Sequence, residues 1–294
     1  ELLGGLVHPK LRTYTYLYPD NLEMDRSHNY SENDKGDSVY SNPDLAAEAA
    51  VKYAAQGFTA LKFDPVGPYT AYDPRLLSLE AMDRAEAFVR QIREAVGSQC
   101  DLLFGTHGQM TAEGAIRLAR RIEAFDPLWF EEPVPPENVD AMARVARATR
   151  IPVATGERLA TKYEFAQVLQ KQAAGILQPA LGRVGGLLEA KKVAALAEAH
   201  YALLAPHLYC GPVEGAANIH LSACSPNFLI QEGIETWGGF HAEILKKPIR
   251  WEEGYVIPPS EPGLGVELNE EVALRHPYTG KSLHLEMYPD PLLP

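Results

Sequence analysis

Six apolar runs in this chain end in residues able to do acid–base or metal chemistry. They read Leu61-Lys62-Phe63-Asp64, Gly105-Thr106-His107-Gly108-Gln109, Phe130-Glu131-Glu132-Pro133, Thr155-Gly156-Glu157-Arg158, Ala205-Pro206-His207 and Ile230-Gln231-Glu232. Together Lys62, His107, Glu131, Glu157, His207 and Glu232 form a set suited to removing a proton next to a carboxylate. That step produces a doubly negative enediolate, which calls for a hard divalent cation on its oxygens and a positioned base. Carboxylates hold such a cation, an imidazole is a base near neutral pH, and a further acid helps a β-hydroxyl leave as water. Taken singly, each residue has a plainer reading: a Glu caps a helix, a His is satisfied structurally, a Lys is a paired charge. Their joint placement after apolar runs points to chemistry.

The elements that must position them follow from the pattern. Short apolar runs alternate with longer segments of helical period, as parallel strands joined by helical crossovers do. Strands are expected at residues 12–18, 59–63, 102–105, 128–131, 153–155, 175–178, 202–205 and 228–231. The first helix is expected after Asn42 as N-cap, with Pro43 at its first position, and ends at Gly57. Further helices are expected at 78–96, 111–123 and 137–148, and an amphipathic one around Lys191 to Ala199. Eight such units make an α/β chain of the (β/α)8 barrel class, whose catalytic groups come from the C-terminal ends of its strands. The barrel is expected over residues 1–253, and 254–294, rich in Pro and Gly at its start, reads as a returning tail. Residues Asp20 to Ser41 form a polar, acidic loop far longer than an ordinary connection, and its Arg26, His28 and Tyr30 are candidate substrate contacts.

The bulk numbers bound the answer. With 294 residues, 46% hydrophobic and 22% charged, the chain can bury one barrel-sized core. A formal net charge of −12 argues against a nucleic-acid partner, which needs clustered Lys and Arg. An anionic small substrate stays compatible, because a site can be locally positive in an acidic protein. Three cysteines without paired spacing point to a reducing cytoplasm rather than a disulfide framework. No membrane span or signal peptide is expected, and a start at Glu1 without Met reads as a piece of something longer.

At these residues the sequence resembles the mandelate racemase and muconate lactonizing branch of the enolase superfamily, most of all its aldonate and aldarate dehydratases. The resemblance runs through Leu2-Leu3-Gly4-Gly5, Gly57-Phe58-Thr59-Ala60-Leu61-Lys62, Trp129-Phe130-Glu131-Glu132-Pro133 and Ala154-Thr155-Gly156-Glu157. It continues through Gly185-Gly186 and Ala205-Pro206-His207 to Leu229-Ile230-Gln231-Glu232. It implies a (β/α)8 barrel preceded by an α+β capping domain of roughly a hundred residues, which is absent from this chain. It implies magnesium, or manganese, held by Glu131 and Glu157, with His207 as general base. Lys62 then stabilises the enediolate, Glu232 hydrogen-bonds the substrate carboxylate or enediolate, and His107, before Gly108, is the general acid on the departing hydroxyl.

The sequence departs from that pattern in three places. Gly105 stands where the family has an Asp as first metal ligand. Either His107 moves in as a nitrogen ligand, or water fills the position, or metal binding is weak or lost. Asp64 stands where racemases carry a second catalytic Lys, which makes it a substrate-side candidate and a two-base racemase less expected. Ala180 in Gln178-Pro179-Ala180 replaces the Asp that orients the catalytic His, leaving Asp64 or Glu232 to substitute.

The expected function is dehydration of a sugar acid to a 2-keto-3-deoxy acid, by a lyase of the hydro-lyase class. An isomerase of a related hydroxy acid or lactone is the alternative, and a catalytically weakened acid-binding barrel the second. A small-molecule sugar acid is the expected partner, with no membrane or nucleic acid, in a cytoplasmic homo-oligomer.

Overall fold

The computed structural model of the chain describes residues 2–18, 38–66 and 76–277. Arg26, His28 and Tyr30 lie outside the described residues. Strands and helices alternate in chain order: β1 (Leu11–Tyr16), α1 (Pro43–Ala55), β2 (Ala60–Phe63), α2 (Leu79–Val96), β3 (Asp101–Phe104), α3 (Ala112–Ile122), β4 (Trp129–Glu131), α4 (Val139–Ala148) and β5 (Val153–Thr155). The order continues with α5 (Lys162–Gln170), β6 (Ile176–Leu177), α6 (Leu181–Val184), α7 (Leu187–Ala199), β7 (Leu203–Leu204), α8 (Pro212–Ala223) and β8 (Gln231–Glu232). After it come α9 (Phe240–Glu243), β9 (Trp251–Glu252), β10 (Tyr255–Val256) and α10 (Glu270–Arg275). This is the expected α/β alternation with parallel strand pairing, consistent with a (β/α)8 chain. None of the described helices is long and apolar enough to cross a membrane.

Among the described residues two compact units divide the chain, one within 16–154 together with Lys171–Ala174, the other within 2–15, 155–170 and 175–277. In the first, the amino-terminal unit, β2 pairs in parallel with β3, and β3 with β4, in the registers Lys62↔Leu103 and Leu103↔Trp129. β5 continues the ladder at Glu131↔Ala154. The helices start where side chains satisfy their first N–H groups. Asn42 accepts from Asp44 N, Ser78 from Ala81 N, Thr111 from Gly114 N and Asn138 from Ala141 N. Each helix then buries one stripe, as α2 does with Ala81, Met82, Ala85, Phe88, Val89, Ile92 and Val96. Edge-to-face contacts link Phe63 to Phe104 and Phe104 to Phe130 across three neighbouring strands. They fix the sheet whose next residues carry the polar groups.

In the carboxy-terminal unit β6 and β7 pair in parallel at Ile176↔Leu203. β8 pairs in parallel with β1 at Thr13↔Gln231 and Tyr14↔Glu232, and β10 pairs antiparallel with β1 at Leu11↔Val256. A core of Leu11, Leu208, Ile219, Ala223, Trp237 and Val256 lies against this ladder. The eighth strand is the largest departure from expectation. It forms at Gln231–Glu232, while Phe228 makes only an isolated bridge to Leu204. The apolar run 228–230 resembles a strand by composition, but register with Thr13 and Tyr14 decides which residues enter the ladder.

Candidate active site

Each unit carries its own cluster of the residues singled out by the sequence. In the amino-terminal unit Lys62, on β2, is buried to 1% and its Nζ lies 2.5 Å from Glu131 Oε1 at the end of β4. A lysine that deep must be paired, because an unpaired ammonium out of water loses its solvation uncompensated. The ammonium also sits 4.8 Å from the centre of the Tyr16 ring, within cation–π range. Glu131 and its neighbour are fixed from behind: Thr106 Oγ1 reaches Glu131 O at 2.6 Å and Glu132 O at 2.9 Å, and Gly108 N donates to Glu132 O at 2.7 Å.

The second pair of this unit is His107 and Asp64, whose Nδ1 and Oδ2 are 3.0 Å apart, both largely buried. Burial pushes the Asp64 carboxyl above its ordinary value, and the hydrogen bond to His107 only partly offsets this. Holding Nδ1–H on a carboxylate fixes the ring and leaves Nε2 as the proton-exchanging nitrogen. The residue that replaces a catalytic Lys thus serves here as the partner of the next histidine. His107 Nδ1, one candidate for the third metal ligand, is given over to that pair.

In the carboxy-terminal unit His207 Nδ1 lies 3.0 Å from Glu232 Oε2 and 3.7 Å from Glu157 Oε2. The same Glu232 oxygen accepts from Leu208 N at 2.5 Å, and Asn218 Nδ2 donates to His207 O at 2.9 Å. Ring and backbone of His207 are therefore both held. Glu157, just after β5, lies near Arg183, whose Nη1 is 2.9 Å from Glu157 O and 3.7 Å from its Oε1. Gly156 makes this turn possible. Its φ is +139°, and a Cβ there would lie 2.7 Å from the Phe165 ring and 2.9 Å from Gln178 N. Ala180 is buried ahead of α6 and gives that helix no side-chain cap, and the carboxylate at His207 Nδ1 is that of Glu232 from β8.

Tyr16, Thr106, Asn218 and Arg183 complete these clusters and were not singled out by the sequence. Tyr16 had a signal in the alternation Tyr14-Thr15-Tyr16 on β1. The other three act on backbone atoms 11 to 26 positions away, which leaves no local trace.

The donor set can be tested against the divalent cation that the resemblance implies. Among the described residues no group of three or more His, Cys, Asp and Glu is gathered to hold a metal. Glu131 is engaged by an ammonium. At Gly105 there is no carboxylate, and a Cβ would lie 3.2 Å from Tyr16 Oη and 3.3 Å from Lys62 Cε, so a side chain there is tight against both. These residues do not fit the family's three-carboxylate site.

Comparison with known proteins agrees with the geometry at the level of family. Residues 44–272 match the model of the enolase C-terminal domain-like family. A D-galactonate dehydratase of Xanthomonas euvesicatoria is 35% identical over 283 residues, covering 94% of this chain and 67% of the relative. Among solved structures, a mandelate racemase/muconate lactonizing enzyme from a Sulfitobacter species is 51% identical with a TM-score of 0.90, covering 99% of this chain and 70% of that one. A Labrenzia alexandrii protein provisionally assigned to the same group is 62% identical with a TM-score of 0.90, covering 97% of this chain and 70% of that one.

Proposed function

Because this chain belongs to the enolase C-terminal domain-like family and several of its relatives are D-galactonate dehydratases, we propose that it dehydrates a sugar acid to a 2-keto-3-deoxy acid. The observation that carries this reading is the presence of two histidines, each with its own carboxylate: His207 with Glu232, and His107 with Asp64. Dehydration needs one group to take a proton and another to give one.

His207 takes the proton α to the carboxylate. Its Nδ1 is occupied by Glu232, so the proton arrives at Nε2, and the carboxylate stabilises the imidazolium formed. Lys62 provides positive charge for the enediolate oxygens as charge develops on them. His107, oriented by Asp64, delivers a proton to the β-hydroxyl, which leaves as water. Glu157 lies on the His207 side, where its charge also favours the protonated imidazole. Arg26, His28 and Tyr30 are proposed to contact substrate hydroxyls, within a catalytic segment 1–253 followed by the tail 254–294.

Enolase-superfamily members use a divalent metal, generally magnesium, which supplies Lewis-acid charge at the substrate carboxylate. Glu131 and Glu157 are the residues of this chain in that family's ligand positions. With Gly105 as the third, no step here depends on a cation.

The reading is tested by screening the full-length protein against aldonic and aldaric acids, D-galactonate first, and trapping the 2-keto acid as its semicarbazone. Two oriented imidazoles also suit proton removal and return, which keeps isomerisation of a related hydroxy acid or lactone as the second reading. Deuterium taken up from heavy water into an unchanged molecular composition identifies that case. Binding without turnover identifies a weakened acid-binding barrel.

A further inference from the structure

We propose that the Lys62 ammonium is the resident cation of the amino-terminal cluster, standing at Glu131 in place of a divalent metal. Two observations that look separate are one arrangement. The first is the ion pair, Nζ to Oε1 at 2.5 Å, with both side chains almost wholly removed from water. The second is Gly105, where a Cβ would lie 3.2 Å from Tyr16 Oη, 3.3 Å from Lys62 Cε and 3.4 Å from Phe63 O. A side chain at 105 meets the stem of this lysine, and the two fit together only if Lys62 and Tyr16 give by a few tenths of an ångström. The missing carboxylate and the buried ammonium are thus complementary.

The charge balance points the same way. An aspartate at 105 would add a negative charge beside Glu131 and demand a doubly charged ion. With glycine there, a single positive charge neutralises Glu131, and a buried pair of this kind is stable only when each member keeps its partner. A divalent cation arriving at Glu131 would have to approach its oxygen to about 2.0–2.1 Å, next to an ammonium already at hydrogen-bonding distance, with little water between them to screen the repulsion. Tyr16 adds the electron-rich face of its ring to the ammonium, and its hydroxyl lies beside Gly105. The ammonium is therefore enclosed by a carboxylate, a ring and a glycine. Stabilisation of the enediolate by this ammonium rests on the proposed dehydration; the exclusion of a metal at Glu131 does not.

The test is made on the full-length protein without substrate. After dialysis against chelator, Mn2+ is titrated and its binding read by electron paramagnetic resonance of the free ion and by thermal shift. The wild type is expected to bind well under about one Mn2+ per ten chains at micromolar metal, with no shift in melting temperature. The pair of substitutions Lys62→Met and Gly105→Asp, which removes the ammonium and restores a carboxylate, is expected to bind close to one Mn2+ per chain and to melt at higher temperature with it. If that double variant fails to fold by circular dichroism, Lys62→Met alone is titrated and is expected to bind Mn2+ at least tenfold more tightly than the wild type. One Mn2+ per wild-type chain, lost in Glu131→Gln, overturns the proposal. So do folded variants that bind no better than the wild type. A failed substrate screen leaves these readouts untouched, so failure of the functional reading and failure of this one are distinguishable.

Discussion

Glu232 Oε2 stands 3.0 Å from His207 Nδ1 and accepts the backbone N–H of Leu208 at 2.5 Å, so one carboxylate oxygen fixes both the ring of the histidine and the peptide after it. The Glu232→Gln variant keeps the shape and removes the charge. It is expected to lower kcat by roughly 10²–10⁴-fold, the usual worth of positioned acid–base catalysis, with KM changed little. Steady-state kinetics on the substrate found by the screen check this. A rise in KM at constant kcat would show Glu232 to be a binding residue instead.

His107 and Asp64 are expected to govern departure of the hydroxyl and not removal of the proton. In His107→Asn and Asp64→Asn, loss of water should fall by roughly 10²–10⁴-fold while the α-proton still exchanges with heavy water. Nuclear magnetic resonance of the recovered substrate reads both events in one sample. Parallel loss of exchange and elimination would assign His107 to the first step and sink the division of labour.

Gly156 carries Glu157 into place through a backbone that a side chain strains, beneath the Phe165 ring and against Gln178. Gly156→Ala is expected to cost roughly 2–4 kcal/mol, from positive-φ strain and overpacking together. Chemical denaturation measures it. A loss below about 0.5 kcal/mol, the ordinary scatter of surface substitutions, would mean that the turn relaxes freely.

Thr161 and Glu164 form a reciprocal cap at the start of α5. Glu164 Oε2 accepts from Thr161 N and Thr161 Oγ1 at 2.8 Å each and from Ala160 N at 3.1 Å, while Glu164 N reaches back to Thr161 Oγ1 at 3.4 Å. Burial alone would raise the Glu164 carboxyl, but these hydrogen bonds win and hold it below its ordinary 4.5. A carboxyl lowered on folding contributes stability that is present above that value and is lost as pH falls through the folded one. Thr161→Ala should therefore cost about 1 kcal/mol at neutral pH and less in acid. Thermal melts at pH 7 and pH 3 compare the two, and an equal loss at both would exclude the charged cap.

The sequence made the six strand ends legible because a polar residue following an apolar strand in an alternating α/β chain has one place to go. Helix starts were equally readable, since Asn42, Ser78, Thr111 and Asn138 act on N–H groups two or three residues away. Partnerships were not. Lys62 finds Glu131 across 69 positions and His107 finds Asp64 across 43, distances set by strand register and not by any local pattern. The eighth strand shifted for the same reason: its partner, β1, lies at the opposite end of the chain. Gly105 and Ala180 were visible as departures, but what fills the space of one and the role of the other became readable only from their neighbours.

The position of β1 also sets an order of events. Its Thr13 and Tyr14 pair with β8 and its Leu11 and Arg12 with β10, and Thr13 Oγ1 donates to Gly254 O across 241 positions at 2.9 Å. During synthesis the first strand leaves the ribosome with neither of these two partners made, and at about 5–20 residues per second it waits for them for more than ten seconds. Its Leu11, Thr13 and Tyr14, fully buried in the finished fold, lack β8 and β10 throughout that interval. This unit is completed last by its first strand, and its nascent chain is the state in which a holdase chaperone has the most to protect.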